Sequence, residues 1–324
     1  MPRQTWLQKT AGFAASGFFM GYLLVTGCAT IQTDAVLENK NNYPQQVELT
    51  SVPFFAQEQY QCGPAALATV LQSSGASVTP DELTAKIFIP GREGSLQIEL
   101  LAAARQYNVI PYILNKNLDA ILAEVEAGNP VLVLQNLGVN WLPQWHYAVV
   151  VGFDFTTSEM ILRSGTEHRH VVPMRVFERV WSRSDYWAVV MLPPSRLPAT
   201  VEQDRYFAAV ADAERMKNYA ASKDAYKTAL QRWPDSLTGL MGLGNSYYAL
   251  QGLTSAAAVF RMATIKYPDN ADAYNNLADT LLQMQRYQDA QDAAKVAVKL
   301  GGKHQDIYLQ TLRAIEDKLG THSR

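Results

Sequence analysis

Two side chains in this 324-residue chain could together carry out acyl transfer: Cys62 and His146. Cys62 stands in Gln61-Cys62-Gly63-Pro64-Ala65-Ala66-Leu67, where a polar turn gives way to an apolar run, a pattern that places the thiol at the start of a helix. Unpaired N–H groups and the macrodipole at a helix start favour thiolate, the nucleophilic form. A small buried residue filling core space is the other reading of a free cysteine. His146 follows 84 positions later (146 − 62), at the head of the apolar stretch Tyr147-Ala148-Val149-Val150-Val151. A nucleophilic thiol needs an imidazole to take its proton, and a cysteine at a helix start can face a histidine at a sheet edge across a cleft. Such a pair would rest as thiolate and imidazolium, with the cysteine pKa well below its free value. Taken alone, His146 reads as a structural histidine bonded through one ring nitrogen.

The elements that must position this pair follow from punctuation and periodicity. Thr79-Pro80-Asp81-Glu82 is a capping box with proline at the first helical position, and Pro90-Gly91 ends that helix. Further helices are expected from Ser95 to Tyr107 and from Leu118 to Ala127, the second stopped by Gly128-Asn129-Pro130. Strands then dominate: Val131 to Leu134, His146 to Phe153, Met160 to Arg163, His168 to Val172 and Tyr186 to Leu192, with one helix near Val176 to Trp181. Helices followed by strands indicate an α+β domain.

The only other cysteine, Cys28, belongs to the N-terminus. Arg3 and Lys9 precede an apolar stretch from Ala11 to Val25, followed by Val25-Thr26-Gly27-Cys28. This resembles a bacterial lipoprotein signal, whose cleavage would leave Cys28 as the lipidated first residue. A transmembrane anchor is the rival, but spanning needs about 20 apolar residues and Gly17 and Gly21 interrupt this shorter run. Ala29 after the cysteine points, in a Gram-negative host, to the outer membrane facing the periplasm. Exported compartments oxidise exposed cysteine pairs, so an unpaired Cys62 there favours chemistry.

The balance of 28 basic against 30 acidic side chains, net charge −2, excludes a nucleic-acid footprint. No glycine loop of phosphate-binding type is present, and no cofactor is expected. His168 and His170 lie two apart on one expected strand, yet no third or fourth ligand stands at a recognisable zinc spacing, so no metal is assigned. Trp141-Leu142-Pro143-Gln144-Trp145 reads either as an aromatic wall of a peptide cleft or as a packed loop.

Gln57 upstream of Cys62-Gly63-Pro64-Ala65, together with His146-Tyr147-Ala148-Val149-Val150 leading to Gly152-Phe153-Asp154, resembles the bacteriocin-processing, or double-glycine, peptidase family of papain-like cysteine peptidases. The resemblance spans roughly Val52 to Leu192. It implies a papain-like α+β domain, N-terminal helices before a C-terminal antiparallel sheet. It also implies Cys62 as nucleophile, His146 as general base and then acid, and Gln57 beside the Cys62 backbone N–H as oxyanion donors. Gln61 is a rival donor. The family's third catalytic member, an Asp-Pro pair on the strand after the histidine, is absent: the stretch reads Leu162-Arg163-Ser164-Gly165. Ser164, Asp154 folding back, or a backbone carbonyl are the candidates to orient the ring.

The C-terminal portion repeats. Leu240-x2-Leu243-Gly244-x2-Tyr247, Ala256-x3-Phe260 and Pro268 reproduce the tetratricopeptide pattern, and shifts of 34 residues recover Tyr274, Leu277, Ala278 and Ala290 on one side and Tyr206, Ala209 and Tyr226 on the other. Three helix pairs and a closing helix, Gln305 to Lys318, make an all-α solenoid that holds a peptide or partner or serves a structural role.

The expected organisation is a signal over 1–28, a spacer over 29–50, the peptidase domain over 51–193, a Pro-rich linker over 194–204 and repeats over 205–320. The reading is a lipid-anchored envelope cysteine peptidase that engages a protein or peptide substrate, with a protein partner on its repeats. The double-glycine specificity of the family is one option. Another acyl transfer by the same pair, an inactive peptide-binding domain and a purely structural envelope scaffold are the alternatives.

Overall fold

The structure, a computed structural model, describes residues 30–56, 62–89, 91 and 94–322. The signal region with Cys28, and both Gln57 and Gln61, lie outside the described residues. Among the described residues no helix is long and apolar enough to cross a membrane.

The first domain wraps helices around one antiparallel sheet. Its helices are α1 (Ile31–Glu38), α2 (Cys62–Ser73), α3 (Pro80–Ile87), α4 (Gln97–Ala104), α5 (Leu118–Glu126) and α6 (Met174–Ser182). Its strands are β1 (Gln46–Glu48), β2 (Ile110–Ile113), β3 (Val131–Asn136), β4 (Trp145–Asp154), β5 (Glu159–Ser164), β6 (Glu167–Pro173) and β7 (Ala188–Leu192). The order is β2-β7-β3-β4-β5-β6, with β1 beside the far half of β4. The capping box on Thr79 is formed, each partner satisfying the other's N–H.

Side chains alternate across the sheet. Tyr147, Val149 and Val151 of β4 pack into the core beneath α2, α3 and α4, with Leu67, Leu71, Leu83 and Leu100. Ala148, Val150 and Phe153 face the opposite core, with Ile121, Phe177 and Trp181. A strand buried on both faces explains its unbroken apolar run. The register of β4 shifts against β5 between Val150 and Gly152, which is how Phe153 comes to join the second core.

The spacer expected over 29–50 is instead an ordered element docked on the domain. The backbone N–H groups of Gln32 and Thr33, at the start of α1, donate to the buried Glu178 carboxylate at 3.1 and 2.7 Å, and β1 pairs with β4. A carboxylate at a helix N-terminus satisfies donors that have no intrahelical acceptor. Composition alone suggested a flexible tether; long-range hydrogen bonds from backbone N–H groups to a buried carboxylate decided otherwise.

The second domain stacks α7 (Gln203–Arg215), α8 (Tyr219–Arg232), α9 (Leu237–Ala249), α10 (Leu253–Lys266), α11 (Ala271–Gln283), α12 (Tyr287–Leu300) and α13 (Gln305–His322). Close approach sets its pitch: a Cβ on Gly244 would lie 2.4 Å from the Phe260 ring, so only glycine fits there. The array is fixed to the first domain rather than hung from it. Tyr206, Phe207 and Tyr226 share one core with Tyr112, Phe177 and Trp181. The connecting segment is pinned by Glu124, which is fully buried and accepts from Asn129 Nδ2 (2.7 Å) and from the Ala199 N–H (3.1 Å), Thr200 N–H (2.8 Å) and Thr200 hydroxyl (2.7 Å).

Candidate active site

Cys62 is the first residue of α2, a helix whose next nine residues, Gly63 to Leu71, are all buried. That burial drives the helix onto the Tyr147 face of the sheet and carries its N-terminus to the start of β4. There the backbone N–H groups of Tyr147, Gly63 and Cys62 itself favour the thiolate. Burial pushes the thiol pKa up, and these three donors pull it back only in part.

His146 is the second residue of β4 and, by alternation, points to the Ala148 face. Ser164 ends β5 on the adjacent strand, and its Oγ lies 2.8 Å from His146 Nε2. Of the two third-member candidates, Ser164 is therefore in contact with the ring. Asp154 is not: it closes the far end of β4, eight residues and about 26 Å along the strand, where it accepts the Thr156 N–H in a tight turn. The rise of an extended strand puts that carboxylate out of reach, so its candidacy is withdrawn.

Burial lowers the His146 pKa to about 4, with a smaller contribution from His170. Both members are thus neutral at pH 7, in place of the expected thiolate–imidazolium pair. No thiol–imidazole hydrogen bond is formed among the described residues; the sulfur meets the backbone of Tyr147, one residue on from the ring. Burial is the first cause for both groups, and with the carboxylate absent nothing offsets it at the ring. An acid beside the ring supports imidazolium and fixes its tautomer, whereas a hydroxyl both donates and accepts and enforces neither. Nδ1 is free to take a proton in the tautomer whose Nε2–H donates to the Ser164 hydroxyl.

The cleft beside Cys62, about 760 Å³, is lined on one side by Gly94, Ser95, Leu96 and Gln97 and on the other by Pro143, Gln144, Trp145 and Tyr147. Trp145 and Pro143 serve as a wall, while Trp141 (83 % exposed) and Leu142 (64 %) turn away to solvent. Three contributors were not singled out by sequence. The Ser95 Oγ is buried without a hydrogen-bond partner and would lie 2.8 Å from a Cβ on Gly63, so glycine lets this wall close on the helix start. The Tyr147 phenol donates to the Ser95 carbonyl at 3.2 Å and ties the two walls together. Arg183 donates to the carbonyls of Asn136 (3.3 Å) and Gly138, fixing the loop that leads to Trp145. Ser95 was legible only as the start of a helix, which in the structure begins at Gln97. His168 packs edge-on against Phe54 and His170 bonds Glu167 at 3.1 Å.

Residues 49–189 match the family described as Peptidase_C39 like. The segment is a Peptidase C39-like domain. Tetratricopeptide repeats match over 207–271 and 241–305. No curated protein matches the chain. Among solved structures, a C39-like peptidase of Bacillus anthracis aligns at 20 % identity and TM-score 0.39, over 46 % of this chain and 98 % of that one. The Sgt2 tetratricopeptide domain of Aspergillus fumigatus aligns at 24 % identity and TM-score 0.37, over 39 % and 83 %. The Yersinia enterocolitica secretion chaperone SycD, in complex with a peptide of the translocator YopD, aligns at 14 % identity and TM-score 0.34, over 36 % and 92 %. The chain thus joins a C39-like domain, antiparallel sheet and flanking helices, to helical tetratricopeptide repeats.

Proposed function

We propose that this protein is a cysteine peptidase of the cell envelope, tethered by lipid on Cys28, whose repeats hold a protein substrate or partner. The observation that carries the reading is the placement of the only described cysteine, at a helix start, beside the head of β4, whose second residue is His146. For the reaction the His146 ring must turn from the Ala148 face of β4 toward the Cys62 cleft; the Cys62 proton then passes to the ring as sulfur bonds to the scissile carbonyl carbon, and His146 returns the proton to the departing amine. Water, deprotonated by the same ring, releases the acyl group and regenerates the thiol. Gln57 and the helix-start N–H groups would receive the developing oxyanion, a role worth about 3 kcal/mol per donor in other enzymes. Catalytic hydrogen bonds often tighten only when substrate binds, which suits a resting pair that is neutral and unbonded.

The repeat array offers a cleft of about 470 Å³ between α9, α11 and α13, lined by Leu237, Met241, Asn275, Asn276 and Tyr308 among others. Asn275 is 8 % exposed, and its Oδ1 has no hydrogen-bond partner. An orphaned buried acceptor is costly unless something donates to it, and a peptide N–H would do so. The anchor rests on Val25-Thr26-Gly27-Cys28 after a short apolar run.

A second reading, a peptide-binding domain with little or no turnover, draws on one observation: a hydroxyl stands where an acid would support imidazolium. The test of both is the full chain incubated with a proteome-derived peptide library, with new termini read by mass spectrometry. Cleavage that vanishes in Cys62→Ala supports the peptidase; peptides retained but uncut by wild type support the binding domain.

A further inference from the structure

Five of the large apolar side chains most exposed on the described surface crowd into nine residues: Leu137, Val139, Trp141, Leu142 and Trp145. They sit on a built loop rather than a loose one. The Asn136 carboxamide oxygen accepts the N–H groups of Gly138 (3.0 Å) and Gln144 (2.9 Å), Val139 bridges to Leu142, and Arg183 clamps the base. A rigid display of exposed apolar groups marks an interaction surface. Only Trp145 of the five lines the Cys62 cleft, so a substrate chain in that cleft does not account for the other four.

Helix α6 connects this loop to the point where the chain would leave for its anchor. Its C-terminal end holds the loop through Arg183, while at its start Arg175 donates to Thr30 Oγ1 at 3.1 Å. Nine helical residues span about 13 Å, so the base of the loop and Thr30, two residues after Cys28, are held at the two ends of one short helix. Ile31 (70 % exposed) follows Thr30 in the chain, and α6 itself exposes Val176 (45 %) and Arg179, for which no ion pair is formed among the described residues. Tryptophan and leucine at the tip, with arginine at the rim, suit the headgroup boundary of a bilayer.

We propose that the 137–145 loop, with Ile31 and Val176 along α6, docks on a phospholipid surface, so that the Cys62 cleft opens next to the membrane and works on membrane-proximal segments. This rests on the reading of Cys28 as the lipid attachment point. The two-residue connection to Thr30 leaves little slack, and a second, protein-borne contact would fix the orientation that a lone acyl anchor leaves free.

The test uses the mature chain, residues 28–324, with Cys28→Ser so that no acyl chain contributes. The probe is vesicles of phosphatidylethanolamine and phosphatidylglycerol, with bromine on the acyl chains to quench inserted tryptophan. The expected result is vesicle binding with quenching, weakened at least about tenfold in Trp141→Ser/Leu142→Ser, while iodoacetamide labelling of Cys62 in solution is unchanged. Absence of binding, or equal binding by the double variant, overturns the proposal. So does a variant that binds vesicles normally yet processes apolar peptides more slowly in solution, which would make the loop a substrate wall. Mass spectrometry of Cys28 from bacterial membranes separates the two levels: acylated Cys28 with no effect of the loop refutes the docking surface alone, and unmodified Cys28 refutes the anchor.

Discussion

Replacing Ser164 by aspartate should convert a sluggish, neutral pair into an ion pair. The Ser164 hydroxyl is 2.8 Å from His146 Nε2, and the ring pKa is held down to about 4. A carboxylate whose charge lies roughly 4 Å from that of the ring contributes about 4 kcal/mol at an effective dielectric near 20, or about three pKa units at 1.36 kcal/mol each. The carboxylate's own desolvation takes back part of this, and acid–base neighbours in proteins move one another by about one to three units. The His146 pKa in Ser164→Asp should therefore lie between roughly 5 and 7. Because the ring's proton comes from the thiol, the same free energy favours thiolate, and iodoacetamide labelling of Cys62 at pH 6 should accelerate at least about tenfold. Ser164→Ala, which removes the contact without adding charge, should give no acceleration. A Ser164→Asp protein that unfolds at the wild-type temperature and labels at the wild-type rate at pH 6 would refute the reasoning.

The remaining predictions follow from burial. His146 has a folded pKa below the roughly 6.5 of the unfolded chain, so its neutral form is favoured by folding. That contribution, up to about 3 kcal/mol, is present above pH 6.5 and is lost as pH falls toward 4; urea unfolding at pH 4 and pH 7 should show a smaller difference in His146→Gln than in wild type. Removing the Glu124 carboxylate orphans four donors, so Glu124→Ala should cost about 3 kcal/mol or more in chemical denaturation and open residues 193–202 to proteolysis. Gly244→Ala should destabilise the repeats by about 1–3 kcal/mol through the clash with Phe260, and calorimetry should show partial recovery when Phe260→Leu is added.

Much of the fold was readable because its signals were local. The capping box at Thr79, the stop at Gly128, the branched run of β3 and β4 and the small-residue code of the repeats each depend on a few neighbouring residues. What was missed depends on distant partners. Helix α1 buries little besides Thr33 and Val36, and exists because Glu178, 145 residues away, receives its first N–H groups. Strand β2 contains Pro111, which an edge strand tolerates because one side of its backbone needs no ladder donor. At the site, Cys62 and His146 could be named from spacing and flanking residues, and Ser164 only because it stands where the resembled family carries its acid. The roles of Ser95, Tyr147 and Arg183 arise only where three segments meet. The charge state could not be read at all, because it is set by burial and by what replaces the acid.

The central claim is that Cys62 and His146 act as one nucleophilic unit, and it is tested most directly with a peptide bearing a thiol-reactive carbonyl electrophile, followed by intact-mass spectrometry. The account predicts a single adduct on Cys62 in wild type, formed at a rate that falls at least about a hundredfold in His146→Ala while that protein stays folded. Equal rates in the two proteins, or no adduct in wild type, would contradict it.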